Sequence, residues 1–218
     1  MILWVAEVSA RAVGRKHVYI ATDDIRIADV VENAGFTALM TSAQALTGTD
    51  RLAEAAKQID YDIYVNVQGD EPLVDPQDIQ RCIELKAKNS EYIVNGFCWL
   101  GTDEDPTSVN IPKLITNEAG VMIYMSRSPL PGHKESKNSP DRYMKQVCIY
   151  GFNRFDLETF ISFGRKSALE LSEDIEILRF LELDRRIQMF ECHPGSLAVD
   201  IPEDVARVEA AMRKRDSG

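Results

Sequence analysis

Two acidic residues stand where phosphate chemistry would need them. Asp70 follows the β-branched run DIYVNVQG, and Asp200 ends the run SLAVD. In open parallel sheets, ligands bind beyond the carboxyl ends of the strands, so residues directly after a strand face that crevice. Two carboxylates converging there suit Mg²⁺, which takes one or two carboxylates together with substrate phosphates. The structural alternative makes Asp70 a turn residue and Asp200 the residue ahead of a helix N-terminus. A second candidate is TGTDR at 47–51. Thr47, Gly48 and Thr49 precede an expected helix N-terminus, whose free N–H groups and hydroxyls suit a base or an anion. Its alternative is a plain cap, with Thr49 or Asp50 closing the helix end and Glu54 nearby. ATDD at 21–24 carries the same two readings.

Elsewhere the chemistry thins out. The four cysteines form no CxxC pair and the three histidines share no metal spacing, so zinc and thiol-redox motifs are absent. Cys98 and Cys148 sit in apolar runs and read as buried small hydrophobes. Lys plus Arg number 25 against 35 Asp plus Glu, a net charge of −10, which disfavours a general nucleic-acid surface. An anionic small molecule would need local cations or a metal. At 218 residues, 44% apolar and 28% charged, the chain reads as one domain over 1–218 with a full core. No apolar stretch reaches membrane-spanning length, and Glu7 interrupts the only N-terminal run, so neither a membrane span nor a secretory signal is expected. That points to the cytoplasm.

The elements that must position these residues follow from periodicity. Helices are expected over 2–14, 25–34, 50–58 and 76–88, with strands at 17–22, 36–40 and 62–67 between them. Asp23-Asp24 supplies caps for the second helix, and Gly14 and Gly35 end the first two. This αβαβαβα order with short connections predicts an α/β fold with a mainly parallel sheet. The second half changes character. Strands at 92–100, 113–116, 121–126 and 146–152 come without long helices between them, so about 95–150 reads as an antiparallel insertion of the kind that makes subunit contacts. Helices at 154–163 and 172–184, strands at 187–191 and 196–200, and a helix at 202–214 complete the chain. No G-x-G-x-x-G follows a strand, which disfavours a dinucleotide-binding fold. A parallel domain of this kind usually opens on a strand and a ligand loop; this sequence opens on a helix.

The runs MTSAQALTGTDRLAEA, YVNVQGDEPLVDP, NIPKLITNEAGVMIYMSRSPLP and VDIPEDVARVE resemble the 3-deoxy-manno-octulosonate (Kdo) cytidylyltransferase family over about 1–208. NVQGDEP and GTDRLAE are the most specific. The resemblance implies a Rossmann-like nucleotidyltransferase fold with an antiparallel dimerisation insertion, acting as a homodimer. It implies coupling of CTP to a 2-keto-3-deoxy sugar acid with Mg²⁺, giving a CMP-sugar and pyrophosphate for lipopolysaccharide or surface polysaccharide synthesis. Position by position, it implies metal-binding roles for Asp70 and Asp200 and places Gln68 between nucleotide and sugar. Thr47, Gly48, Thr49 and Arg51 would meet the cytidine. Arg127, Gln146, Tyr150, Glu173 and Glu176 would form the sugar side.

The sequence departs from the family's pattern in three places. The family's N-terminal strand and the basic loop with which it wraps the CTP phosphates have no counterpart, so the chain as written is expected to be much less active than one extended upstream, and its exposed strand edges prone to aggregation or dependent on a dimer partner. Gln146 replaces a common histidine, and Arg179-Phe180 replaces Glu-Gln; both point to an acceptor other than plain Kdo. Two further readings stay open: an impaired relic or binding subunit of the same fold, and a cytidylyltransferase for another acid such as an acylneuraminate.

Overall fold

The computed structural model describes residues 1–199, 202 and 204–216. Local chemistry sets the first helices. Helix α1 (Ile2–Val13) stops at Gly14, whose φ of 81° favours glycine. Strand β1 (Tyr19–Thr22) leads through Asp24, which accepts from Arg26 N–H, into α2 (Ile25–Asn33). Strand β2 (Thr37–Met40) pairs with β1 in parallel. Helix α3 (Gly48–Ala55) begins two residues before the sequence expectation because Thr47, rather than Thr49 or Asp50, caps it. Strand β3 (Tyr64–Val67) follows, then α4 (Pro76–Lys88). Asp75 caps α4, Pro76 opens it, and Lys86 and Lys88 lie in its last turn, each favourable at its end.

The second half supplies β4 (Ile93–Trp99), β5 (Lys113–Thr116), β6 (Met122–Ser126) and β7 (Met144–Phe152). Helices α5 (Arg154–Ser162), α6 (Ala168–Glu173) and α7 (Leu178–Glu182) come next, then β8 (Ile187–Glu191) and α8 (Asp204–Asp216). The helix expected over 172–184 is two helices, because Asp174 adopts a left-handed conformation with φ 51° and ends the first. No strand forms over 196–199, and Asp200 lies outside the described residues.

The α/β fold is as expected, and the antiparallel part of the chain enters its main sheet. β1 and β2 form a separate parallel pair. The larger sheet runs β6-β5-β7-β4-β8, with β3 also on β7. It is mixed: β4 and β8 are parallel, whereas β7 runs antiparallel to β3, β4 and β5. The reason is that the segment 95–150 does not stand off as an arm. Its last strand, β7, enters the middle of the sheet. A register shift between Asn95 and Gly96 lets β4 follow it, and the fully buried Asn95 spans the irregularity by donating to the carbonyls of Val147 and Ile149 at 3.0 and 2.9 Å. Gly96 suits this close approach, since a Cβ would lie 2.6 Å from Cys192 Sγ and would force that side chain to shift.

Helices cover both faces. On one, Phe152, Phe160, Phe180, Tyr64, Ile93 and Leu157 pack with Ala53 and Ala56 of α3. On the other, Val8 of α1 and Ile79 and Cys82 of α4 pack on Val94, Val147 and Ile149. Helix α1 also reaches the small sheet, where Ala6 meets Ile20, Val31 and Phe36. One helix therefore spans both sheets. Cys98 is buried as the sequence suggests, and burial pushes its thiol up to about 11, far from a reactive thiolate, whereas Cys148 is half-buried.

Candidate active site

A cavity of about 510 Å³ opens at the carboxyl end of β3. The turn after β3 brings in Gln68, Asp70 and Glu71, and that turn is tightly held. Gln68 N–H donates to Cys148 C=O at 3.2 Å. Glu71 accepts from Cys148 N–H at 3.0 Å and from Ser196 Oγ at 2.7 Å. Val199 N–H donates to the Asp70 carbonyl at 2.9 Å, so the residue preceding Asp200 is fastened beside Asp70. Asp70 Oδ1 is buried without a hydrogen-bond partner. Burial raises the Asp70 and Glu71 carboxyls above their usual range. A buried carboxylate oxygen that lacks a donor is what a hard cation satisfies. Among the described residues no group of three or more His, Cys, Asp or Glu forms a metal cluster. A site of one or two carboxylates plus phosphate oxygens requires none.

The nucleotide-loop candidates split. Thr47 lines the cavity, and its Oγ1 both accepts from Asp50 N–H and donates to Asp50 Oδ2 at 2.8 Å. Thr49 is buried, and its N–H donates to Glu176 Oε2 at 2.9 Å. Gly48 faces Gln68 so closely that a Cβ would come within 3.2 Å of Nε2. Arg51 lies further back, held by Thr41 Oγ1 at 2.7 Å and Asp23 at 3.1 Å, which joins TGTDR to ATDD.

On the sugar side, Glu176 ties the two loops together. Its Oε1 accepts a short hydrogen bond from Gln68 Nε2, across 108 residues of chain. Burial pushes Glu176 up, against the hydrogen bonds from Thr49 and Thr47. Arg127, Gln146 and Tyr150 also line the cavity. Gln146 Nε2 donates to Asn95 Oδ1 and to Tyr150 OH, both at 3.2 Å. Glu173 does not line it. It braces Arg127 instead, accepting from Arg127 N–H at 2.9 Å and Ser126 Oγ at 2.7 Å. Burial pushes Glu173 up, but these hydrogen bonds, with that of Tyr124, outweigh it and hold the carboxyl below its usual range. The Arg127 guanidinium is oriented by the carbonyls of Glu173, Val109 and Asp174 at 2.5 to 2.9 Å.

Arg179 is placed differently from the sequence expectation. It is fully buried, donating to Asp50 at 2.9 and 3.0 Å and to Glu170 at 2.7 and 2.6 Å, over the Phe160 ring. It does not reach the cavity, so its side chain cannot read the acceptor. Sequence reasoning missed Lys145, paired with Glu104 at 2.5 Å, and Lys166 and Arg207, all on the cavity wall. No local pattern marks them. Glu71 was findable, since it follows Asp70 in NVQGDEP. Seven carboxylates and four cations line the cavity among the described residues, so an anionic ligand here requires added positive charge.

A cytidylyltransferase family model matches residues 1–187, which sets this α/β sheet with its acidic crevice in the nucleotidyltransferase class. The chain is similar to the 3-deoxy-manno-octulosonate cytidylyltransferase of Trichlorobacter lovleyi, 39% identical over 98% of this chain and 88% of that one. To the enzyme of the same name from Zea mays it is 34% identical, over 92% of this chain and 68% of the other. A CMP:2-keto-3-deoxy-manno-octonic acid synthetase solved with CTP superposes with a TM-score of 0.87 at 30% identity, over 98% of this chain and 88% of that one. A 4-diphosphocytidyl-2C-methyl-D-erythritol synthase of Anaerococcus prevotii, 12% identical with a TM-score of 0.61 over 97% and 89%, shares the fold. The chain belongs to the 3-deoxy-manno-octulosonate cytidylyltransferase family. Among the described residues no helix is long and apolar enough to cross a membrane.

Proposed function

We propose that the chain couples CTP to 3-deoxy-manno-octulosonate, releasing pyrophosphate and a CMP-sugar. The observation that carries this is the Thr49–Glu176–Gln68 bridge beside Asp70. It brings the candidate nucleotide loop, the candidate sugar loop and a buried carboxylate to one cavity wall. In the reaction the anomeric hydroxyl oxygen bonds to the α-phosphorus of CTP. The bond from that phosphorus to the bridging α–β oxygen breaks, pyrophosphate leaves with the electron pair, and the hydroxyl proton is released. Catalysis is mainly positioning and charge compensation.

The residues divide the work. Thr47 and the start of α3 present polar groups to the base. Gln68 orients both substrates from the boundary between them, and Glu176 fixes Gln68. Arg127, held open by Glu173, meets the sugar carboxylate, with Gln146 and Tyr150 beside it. Asp70 and Asp200 would hold Mg²⁺, and the unpartnered Asp70 oxygen fits that role. The metal, when bound, neutralises phosphate charge and lowers the pKa of the attacking hydroxyl. The product would serve lipopolysaccharide or surface polysaccharide synthesis in the cytoplasm. A homodimer is supported by the edge strand β6, where Ile123 is 54% exposed.

The test is pyrophosphate release with each of four nucleoside triphosphates and a panel of keto-sugar acids. CTP should give the highest kcat/KM among the triphosphates, because a pocket built to hydrogen-bond one base edge rejects others by leaving its groups unpaired; among the acids 3-deoxy-manno-octulosonate should do so, against the sequence expectation of another acceptor, because Arg179 does not reach the cavity and the similar enzymes carry that acceptor's name. Equal turnover of ATP and CTP would overturn the reading of the 47–51 loop. A higher kcat/KM for an acylneuraminate would overturn the acceptor.

A further inference from the structure

Lys113 is a buried cation that the chemistry above leaves unused. It opens β5, opposite Ser126 of β6, and has no exposed surface. A buried charge costs free energy unless polar groups replace the water it loses. Here those groups are three main-chain carbonyls. Lys113 Nζ donates to Ser108 C=O at 2.7 Å, to Ile111 C=O at 2.6 Å and to Arg127 C=O. An ammonium has three N–H donors, so all are spent on main chain. Asp105 and Glu173 act on Lys113 through charge alone. Burial, reinforced by the charge of Arg127, holds the ammonium below the usual lysine range.

The three carbonyls belong to the wall where the sugar acid would sit. Ser108, Asn110, Ile111, Pro112 and Arg127 line the cavity, and no helix or strand holds 108–112 in place. Groups around that loop do so instead. Lys113 grips Ser108 and Ile111, and Gln146 N–H donates to Pro112 C=O at 3.1 Å. Between the two gripped residues, Val109 C=O accepts from Arg127 Nη1 at 2.7 Å. A shift of Ser108 and Ile111 would carry Val109 with them, and with it the guanidinium. The nucleotide loop is held by other groups: Thr49 by Glu176, Asp50 by Arg179 and Arg51 by Thr41.

We propose that Lys113 is a positioning residue for the sugar acid: its ammonium locks the 108–112 loop and the Arg127 main chain into one acceptor wall, and it touches no substrate itself. This role rests on the transferase reading and adds a residue to its acceptor half. Three carbonyls converging on one nitrogen match a tetrahedral ammonium. A planar guanidinium keeps the charge but spreads its donors over a fork, so it cannot reproduce that convergence.

The test compares the full chain with Lys113→Met and Lys113→Arg, each assayed well below its own melting temperature. In Lys113→Met, KM for the sugar acid should rise about tenfold or more while KM for CTP stays within about twofold. Lys113→Arg should raise KM for the sugar acid about threefold or more, and it carries the same test should the methionine variant not fold. Without any substrate, hydrogen exchange at the Ile111 and Gln146 amides should be about tenfold faster in both variants, with the Asp50 and Arg51 amides unchanged. Both KM values rising together, or kcat falling with both KM values unchanged, would make Lys113 merely structural and overturn the role. So would unchanged exchange at Ile111 and Gln146. An arginine variant equal to the parent would show that charge alone suffices, and would overturn the lock. A parent that turns over none of the keto-sugar acids overturns the transferase reading itself, and the acceptor role with it.

Discussion

Replacing Arg179 by methionine isolates the buried ion cluster from the cavity it supports. The guanidinium has no exposed surface and makes four charge-assisted hydrogen bonds of 2.6 to 3.0 Å to Asp50 and Glu170. Methionine fills much of the volume over Phe160 but leaves two carboxylates buried without a counter-ion. Removing one partner of such a buried cluster costs about 3–5 kcal/mol, most of it the penalty of the stranded charges. In a domain of this size a loss of 1 kcal/mol lowers the melting temperature by about 2–4 °C, so Arg179→Met should melt about 10 °C lower. Lysine keeps the charge but cannot fork to two carboxylates, so Arg179→Lys should fall between parent and methionine. Asp50 also receives the Thr47 hydroxyl at 2.8 Å, so both variants should raise KM for CTP more than for the sugar acid. Differential scanning calorimetry between pH 5 and 8 reads the first effect, and pyrophosphate release reads the second. A methionine variant that melts within about 2 °C of the parent would refute the claim that these charges depend on one another.

Asp70→Asn should cut turnover by roughly 10²-fold, the loss of one transition-state stabilising group, while the melting temperature stays within a few degrees, because the altered oxygen has no partner to lose. Unchanged pyrophosphate release at saturating Mg²⁺ would exclude Asp70 from the chemistry. Gly48→Ala should raise KM for CTP several-fold with little change in stability: alanine is favourable by about 0.5–1 kcal/mol inside a helix, but its Cβ would press on Gln68 Nε2 at 3.2 Å. Glu173 has a depressed carboxyl, so its contribution to stability is complete above the usual range near 4.5 and disappears as pH falls through its lower folded value. Glu173→Gln should therefore flatten the acid limb of the stability curve and raise KM for the sugar acid, and a parallel acid limb in parent and variant would contradict it.

Local chemistry explains why part of this site was readable. Helix α4 announces itself with Asp75 and Pro76 at its start and two lysines at its end. Asp70 and Gln68 follow a β-branched run, and strand ends are where ligands bind. What was not readable depends on pairing between distant segments. Nothing near 144–152 says that β7 belongs in the middle of the sheet, because strand order is decided by which edges meet. The bond from Gln68 to Glu176 spans 108 residues, and those from Arg179 to Asp50 span 129. Arg179 illustrates the failure well. By sequence, Arg179-Phe180 replaces the Glu-Gln of the family's pattern on the expected acceptor side, which pointed to contact with the sugar acid. The left-handed Asp174 breaks that segment, and the second helix turns Arg179 inward to two carboxylates.

The two halves of the site are braced unequally, and the cause lies in the sheet. The turn carrying Gln68, Asp70 and Glu71 is fixed by four hydrogen bonds, to both main-chain groups of Cys148, to the Ser196 hydroxyl and from Val199, so the carboxylate half rests on β7. The half carrying Arg51 rests on Asp23 and Thr41 of the small sheet, across an apolar cleft. Helix α1 and the hydroxyl contact between Tyr19 and Tyr61, at 3.1 Å, span that cleft, but among the described residues no strand ladder does. Gln68 lines both the cavity and the cleft. Its geometry toward Glu176 therefore depends on how firmly β3 is held at its open edge.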